Sequence, residues 1–260
     1  MYLGIETSSA VSSVALMTEE KLVGELTIQA GLTHSEQLVP HIELLMKQCS
    51  VTKDAIQGIA VSIGPGSFTG LRIGLGTAKA LAYAWQVPLL GVMTMEVLAH
   101  NFWQANGLLA VMIDAQKKNV YEGLYRWQEG HLQCIQEPTV KVRAEALAEL
   151  AERNEMVTLV GDGITKVASA ISEYGSQLLL SPLSLRIPRA SSLLLAALPR
   201  FLQGAPDEAN AIAPYYIRRS EAEVVWDAKH PELAAQMKGQ EPTVVVTEAA
   251  STLHDEVDHA

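Results

Sequence analysis

The sequence predicts two related α/β lobes in tandem. Three observations carry that reading. The chain opens with three short strand-type segments in succession. The order strands, helix, strand, helix then occurs twice along the chain. A length of 260 residues with 48% hydrophobic content is enough to fill one large core or two smaller ones. The lobes are expected at 1–104 and 105–218, followed by an acidic extension at 219–260.

The elements follow in order. Tyr2 to Glu6, Val11 to Met17 and Leu22 to Ile28 read as an antiparallel meander, with turns at Thr7–Ser9 and Thr18–Lys21. Thr33 and Glu36 have capping-box spacing, and Leu38, Ile42, Leu45 and Cys49 then form one apolar helical stripe. Ala55 to Ile63 holds a buried-type strand that enters a turn at Gly64–Ser67. A long helix leaves this turn and runs to about Trp85. Val87 to Val92 is a strand, and Thr94 caps a helix to about Gln104. The pattern restarts with strands at Leu108–Asp114 and Asn119–Trp127, a helix at Ala144–Arg153 and a strand at Val157–Gly161. Helices at Ile164–Tyr174 and Ser191–Gln203 close the second lobe, and Trp226 to Gln240 has room for one short helix.

Charge and composition exclude several functions. Net charge is −10, and nine acids against two lysines lie from Glu221 onward. Nucleic acids attract basic surfaces, so this chain is not expected to bind RNA alone. No apolar run is long enough for a membrane helix, and the first residues do not read as a secretion signal. Cys49 and Cys134 are far apart without metal-type spacing, as expected of free thiols in a cytoplasmic protein.

The most informative stretch is Ser62 to Ala82, SIGPGSFTGLRIGLGTAKALA. Free amides at the helix start could cradle a phosphate. The glycines miss the dinucleotide spacing and no Gly-Lys-Ser/Thr follows, so a tight turn with unusual backbone angles is the simpler reading. Gly66, Gly70, Gly74, Ala78 and Ala82 recur at four-residue steps as a nearly bare ridge. Glycine inside a helix costs about 1 kcal/mol relative to alanine. The compensation expected is close approach of another backbone, in the same chain or in a second subunit. Arg72 and Lys79 share a face of this helix, which fits solvation, an ion pair with Glu36 or Glu43, or a partner contact.

GPGSFTGLRIG at Gly64–Gly74 resembles the signature of the TsaB (YeaZ) family. Thr33 to Pro40, Ile113-Asp114-Ala115 with Val120-Tyr121, Gly161-Asp162-Gly163 and Pro214 to Arg218 resemble the family's other landmarks, so the resemblance covers about Met1 to Glu223. It implies two ribonuclease-H-like lobes of the actin, Hsp70 and sugar-kinase (ASKHA) type. It also implies a part in making threonylcarbamoyladenosine beside the tRNA anticodon, as a non-catalytic scaffold without cofactor or metal. The implied partners are the catalytic paralogue TsaD, docked through the two N-terminal helices, the small ATPase TsaE, and a second copy of the chain when it is alone. tRNA would be met only through the complex. Glu6 stands where the family usually has Asp, Gln116 where a basic residue is common, and the segment after Trp226 is longer than the family needs.

On that basis the expected partner interface is His34, Leu38, His41, Ile42 and Leu45 from the first helix. From the second it is Phe68, Gly70, Leu71, Arg72, Gly74 and Leu75. The rival reading is an ATPase or metallopeptidase-like enzyme of the same fold. Nucleotide-binding members of the superfamily carry glycines in both hairpin turns, whereas Glu6-Thr7-Ser8-Ser9 and Asp114-Ala115-Gln116-Lys117 have none. The paralogue's metal histidines are one helical turn apart, but His34 and His41 are seven residues apart, a rise of roughly 10 Å. Glu6 and Asp114 are the strand-end acids a nuclease would need, and they fall in different lobes; no Gly-x-Ser-x-Gly elbow is present.

Overall fold

The computed structural model describes residues 1–29, 34–217, 226, 229 and 230. The capping residue Thr33 lies outside this set, as do the extension and the short helix expected after residue 218, apart from Trp226, Lys229 and His230. Among the described residues, no helix is long and apolar enough to cross a membrane.

The first sheet contains β1 (Tyr2–Glu6), β2 (Ser12–Met17), β3 (Leu22–Ile28), β4 (Gly58–Gly64) and β5 (Leu89–Met93), in the order β3-β2-β1-β4-β5. β1, β2 and β3 are antiparallel, and β4 and β5 add in parallel. The second contains β6 (Leu108–Asp114), β7 (Asn119–Gln128), β8 (His131–Val142), β9 (Val157–Val160) and β10 (Leu178–Leu180), in the order β10-β9-β6-β7-β8. Numbered within its own lobe, each sheet has the same order, a meander of three extended by two parallel strands. The duplication that the element order implied is therefore a duplication of topology, as ribonuclease-H-like lobes require.

Side-chain alternation explains why β1 is buried on both faces. Leu3 and Ile5, with Val14, Leu16, Ile59 and Val61, face α1 (His34–Gln48) and α2 (Phe68–Trp85). Tyr2, with Ala15, Ala60 and Leu90, faces the opposite way, onto α6 (Ala190–Leu202). Expected in the second lobe by its place in the sequence, this helix instead covers the first sheet. Leu193, Leu194 and Ala197 are its buried apolar contacts, while Leu195 is exposed. Gly4 permits the approach, because a Cβ there would lie 2.7 Å from the Ala190 carbonyl oxygen. Glu25 of β3 fixes the start of α6. It accepts from the Ser191 amide at 3.0 Å and hydroxyl at 2.8 Å, and pairs with Arg189. A carboxylate at a helix N-terminus also meets the favourable end of the helix dipole.

In the second lobe, α4 (Arg143–Ala151) and α5 (Ile171–Tyr174) cover one face of the sheet, and α3 (Thr94–His100) covers the other with Met95, Leu98 and Ala99. The helix expected at Ile164–Tyr174 is a 3-10 segment, Asp162–Ala170, followed by one turn of α5. β8 and β10 were not expected. β8 is mostly exposed, contains Pro138 and sits on the sheet edge, where a missing ladder donor is tolerated.

Candidate functional site

The turn between β1 and β2 is closed by its own chain. Glu6 is fully buried; Oε1 accepts from the Ser8 amide at 2.6 Å and Oε2 accepts from the Ser62 hydroxyl. Burial pushes its carboxyl above the ordinary range, and the hydrogen bonds from Ser62 and Ser8 offset only part of that. Thr7 Oγ1 donates to the Gly70 carbonyl at 2.8 Å, and the Ser67 amide donates to the Ser8 carbonyl at 2.6 Å. Ser67 caps α2 by accepting from the Gly70 amide at 3.2 Å. Two amides at the helix start, those of Ser67 and Gly70, thus bond inside the chain.

The four-residue ridge packs against this turn. A Cβ on Gly66 would fall well inside 3.0 Å of the Ser8 carbonyl oxygen, one on Gly70 inside 3.0 Å of the Thr7 carbonyl oxygen, and one on Gly74 inside 3.0 Å of Thr7 Oγ1. The close approach inferred from the glycines is therefore to the same chain, and these three are not a docking ridge.

Most of the expected interface residues are likewise engaged internally. Leu38, Ile42, Leu45 and Leu75 lie in the core under the first sheet, and Leu71 is fully buried. The stripe on α1 is what the sheet face requires, at about 1.5–3 kcal/mol per buried aliphatic side chain. His34 Nε2 donates to the Ser9 carbonyl at 2.8 Å, and buried His41 shares a 3.2 Å hydrogen bond with Ser12 Oγ. Both histidines anchor α1 to the first hairpin. Of the eleven residues, only Phe68 and Arg72 contribute to the outer surface of the α1–α2 pair.

That surface has a different composition. On α2 the exposed residues are Thr69, Arg72, Gly76, Ala80, Tyr83 and Ala84, a second stripe with small residues at Gly76, Ala80 and Ala84; a Cβ on Gly76 would meet nothing within 4 Å. Tyr83 is 81% exposed, and Val39 and Leu44 of the neighbouring α1 are 54% and 46% exposed. At the start of α2 the Phe68 ring stacks on Tyr216 with centroids 4.8 Å apart, and the Arg72 guanidinium lies 3.9 Å above Phe68. Sequence reasoning missed this stripe and Tyr216. α2 carries small residues on two faces, so periodicity does not reveal which one meets the sheet.

In the second lobe, Asp114 accepts from Arg143 and Lys166 at 3.0 Å each, and its amide donates to Asp162 at 2.9 Å. Burial raises the Asp162 carboxyl pKa, with Asp114 beside it adding to the rise and the Asp114 amide opposing it. The adjoining turn lacks glycine, yet Gln116, Lys117 and Lys118 all have left-handed φ of 64°, 50° and 69°. Gly161 (φ 102°) and Gly163 are required where the chain presses on the Met112 carbonyl. A recess open to solvent lies among Ser8, Val11, Thr94, Asp162 and Arg186.

Comparison with known proteins gives a consistent set. The family model described as "TsaD: tRNA N6-adenosine threonylcarbamoyltransferase" matches residues 27–226. The tRNA threonylcarbamoyladenosine biosynthesis protein TsaB of Bacillus subtilis (strain 168) is 30% identical over 225 residues, which is 86% of this chain and 96% of that protein. The protein of the same name from Escherichia coli (strain K12) is 29% identical over 224 residues, 85% and 95% of the two chains. Among solved structures, YeaZ from Pseudomonas aeruginosa aligns with a TM-score of 0.68 and 28% identity, covering 83% of this chain and 98% of that one.

Proposed function

This chain belongs to the TsaB (YeaZ) family, with the two lobes of the actin, Hsp70 and sugar-kinase fold, and from that premise we propose that it serves tRNA threonylcarbamoyladenosine biosynthesis as a docking subunit and not as the catalyst. The observation that carries the proposal is the outer face of α1 and α2. Val39, Leu44 and Tyr83 stand exposed there beside the smooth Gly76–Ala80–Ala84 stripe. Exposed apolar side chains on a paired set of helices are a recognisable feature of interaction sites. A bare stripe lets a second helix approach closely, by the steric logic known for membrane helices.

The proposed partner is the TsaD-type catalytic paralogue, with a TsaE-type ATPase joining the pair. When the paralogue is absent the same face pairs with a second copy. Self-association of this kind is isologous: the patch on one protomer meets its own copy. The net charge of −10 supports contact with tRNA only through the assembly. Internal closure of the β1–β2 turn by Glu6, Thr7 and Ser8 supports a role outside the chemical step.

The test is copurification of the full chain with the paralogue from its own host. Val39→Asp combined with Tyr83→Asp is expected to abolish copurification and to convert the isolated chain to a monomer, with the melting temperature unchanged. Persistent copurification removes the docking proposal. Turnover of ATP by the purified chain alone, with magnesium, removes the non-catalytic one.

A further inference from the structure

Arg72 is fastened in place without a carboxylate. Its guanidinium lies 3.9 Å over the Phe68 ring, and its Nε donates to Tyr216 Oη at 3.1 Å. Phe68 and Tyr216 stack on each other, so Phe68 covers the face of the group while Tyr216 takes its Nε edge. The platform is itself anchored. The Tyr215 amide donates to the Ile63 carbonyl at 2.6 Å, and Gly64 lies directly under the Tyr215 carbonyl oxygen. Two segments far apart in sequence thus converge to aim one side chain.

Among the other described arginines, Arg186 donates to the Ser181 carbonyl at 2.7 Å, and Arg126, Arg143, Arg153, Arg189 and Arg200 each pair with a carboxylate. Arg72 does not, among the described residues, although acids outnumber bases 29 to 19 in the chain. Its remaining N–H donors face solvent at one end of the exposed α2 stripe. A guanidinium with its face covered and its Nε occupied presents two parallel donors on its free edge, the geometry that matches a carboxylate bidentately.

We infer that Arg72, held by Phe68 and Tyr216, is a preformed clasp for a carboxylate side chain on the protein subunit that docks against α1 and α2. The inference rests on the docking reading and adds to it the chemistry of one contact. Pre-ordering matters because a long side chain that is already fixed loses less freedom on association. It also makes Arg72 a determinant of partner choice, since a subunit presenting a cation at that point meets a like charge.

The experiment measures the affinity of the full-length chain for the purified catalytic paralogue by calorimetry, at low and moderate salt. Arg72→Ala is expected to weaken binding roughly 10- to 100-fold and to flatten the salt dependence. Arg72→Lys keeps the charge but not the fork or the stack, and is expected to recover less than half of the lost free energy, so it stays about tenfold weaker. Tyr216→Phe removes one hydrogen bond and is expected to weaken binding about threefold. Unchanged binding by Arg72→Ala, with Val39→Asp still disruptive, overturns the clasp and leaves docking intact. Wild-type binding by Arg72→Lys overturns the bidentate geometry. Loss of self-association alone in Arg72→Ala overturns the assigned occupant in favour of a second copy. Wild-type binding by Val39→Asp overturns the docking face and the clasp together.

Discussion

Two glycines on α2, Gly70 and Gly76, should respond to alanine with opposite signs. At Gly76 a methyl group enters open space, so Gly76→Ala gains helix propensity and is expected to stabilise the chain by about 1 kcal/mol. At Gly70 the same methyl would fall inside 3.0 Å of the Thr7 carbonyl oxygen, a backbone atom that cannot swing aside. Either the helix or the first hairpin must shift. Overpacking of this kind costs about 1–3 kcal/mol. The shift also strains the buried hydrogen bond from Thr7 Oγ1 to the Gly70 carbonyl, which contributes about 1 kcal/mol. Set against a propensity gain below about 1 kcal/mol near the helix start, Gly70→Ala is expected to destabilise by about 2 kcal/mol. The two variants then differ by about 3 kcal/mol, an offset of about 1 M or more in urea midpoint. Equilibrium urea unfolding followed by circular dichroism measures this directly. Equal midpoints would refute the reasoning, because they would mean that the Gly66–Gly74 ridge does not press on the first hairpin and is free for another chain.

Other consequences concern buried carboxyls and the docking stripe. Glu6 has a raised pKa in the folded protein, so the stability it contributes is full below its ordinary value of 4.5 and is lost as pH rises through the folded value. Glu6→Gln, which can still bond Ser8 and Ser62, is expected to flatten the fall in melting temperature as pH rises above 4.5, as read by calorimetry; a steeper fall contradicts the assignment. Glu25 behaves oppositely. Burial pushes its carboxyl up, but hydrogen bonds from Arg189 and Ser191 outweigh this and hold it below the usual range. Its contribution is therefore present above about 4.5 and disappears as pH falls through the folded value. Glu25→Gln is expected to lose about 2 kcal/mol at pH 7, a figure discounted for the part-exposed Arg189, with the gap to wild type closing on acidification. Gly76→Leu is expected to leave the fold intact and to break association with the paralogue, as read by size-exclusion chromatography.

The sequence was most readable where one local signal sufficed. The meander, the strand into Gly64 and the long helix after Ser67 each carry their own turn residues and periodicity, and they lie within a few residues of the expected positions. β8 was missed because an edge strand needs only one face satisfied, and a segment such as HLQCIQEPTVKV shows neither alternation nor an apolar run. The placement of α6 was invisible for a different reason. A helix with a long apolar run announces burial but not which sheet buries it, and the deciding contacts, with Tyr2 and Leu90, are far away in sequence. The candidate interface failed on phase. Leu38, Ile42 and Leu45 were correctly grouped on one face, but a stripe wide enough for a partner is also what a five-stranded sheet needs. On α2 glycines at four-residue spacing drift by about 40° per step around a helix, so one ridge alone could not say which neighbour it met.

The two turn regions and the outer helix face are connected by a physical argument about rigidity. A hairpin that leaves donors and acceptors open is ordered only when a ligand satisfies them. Here the first hairpin is held by Glu6, Ser62, the Ser67 amide and the Gly70 carbonyl, and Asp114 of the second lobe is neutralised by Arg143 and Lys166. α2 is therefore fixed on the sheet by contacts present in the isolated chain. His34 and His41 fix α1 to the same hairpin. The two helices that carry Val39, Leu44, Tyr83 and Arg72 share one rigid support, so their spacing does not depend on a bound nucleotide. A surface ordered before association loses little freedom when a partner arrives, and affinity then depends on what the face presents. Loosening the support without touching the face separates these effects. Thr7→Val keeps the volume and removes the hydrogen bond to Gly70, so it should weaken docking through the helices while leaving every exposed residue in place. Amide hydrogen exchange along α2 should rise in parallel with the loss of affinity. A loss of affinity without faster exchange would place the effect of Thr7 somewhere other than the rigidity of the helix pair.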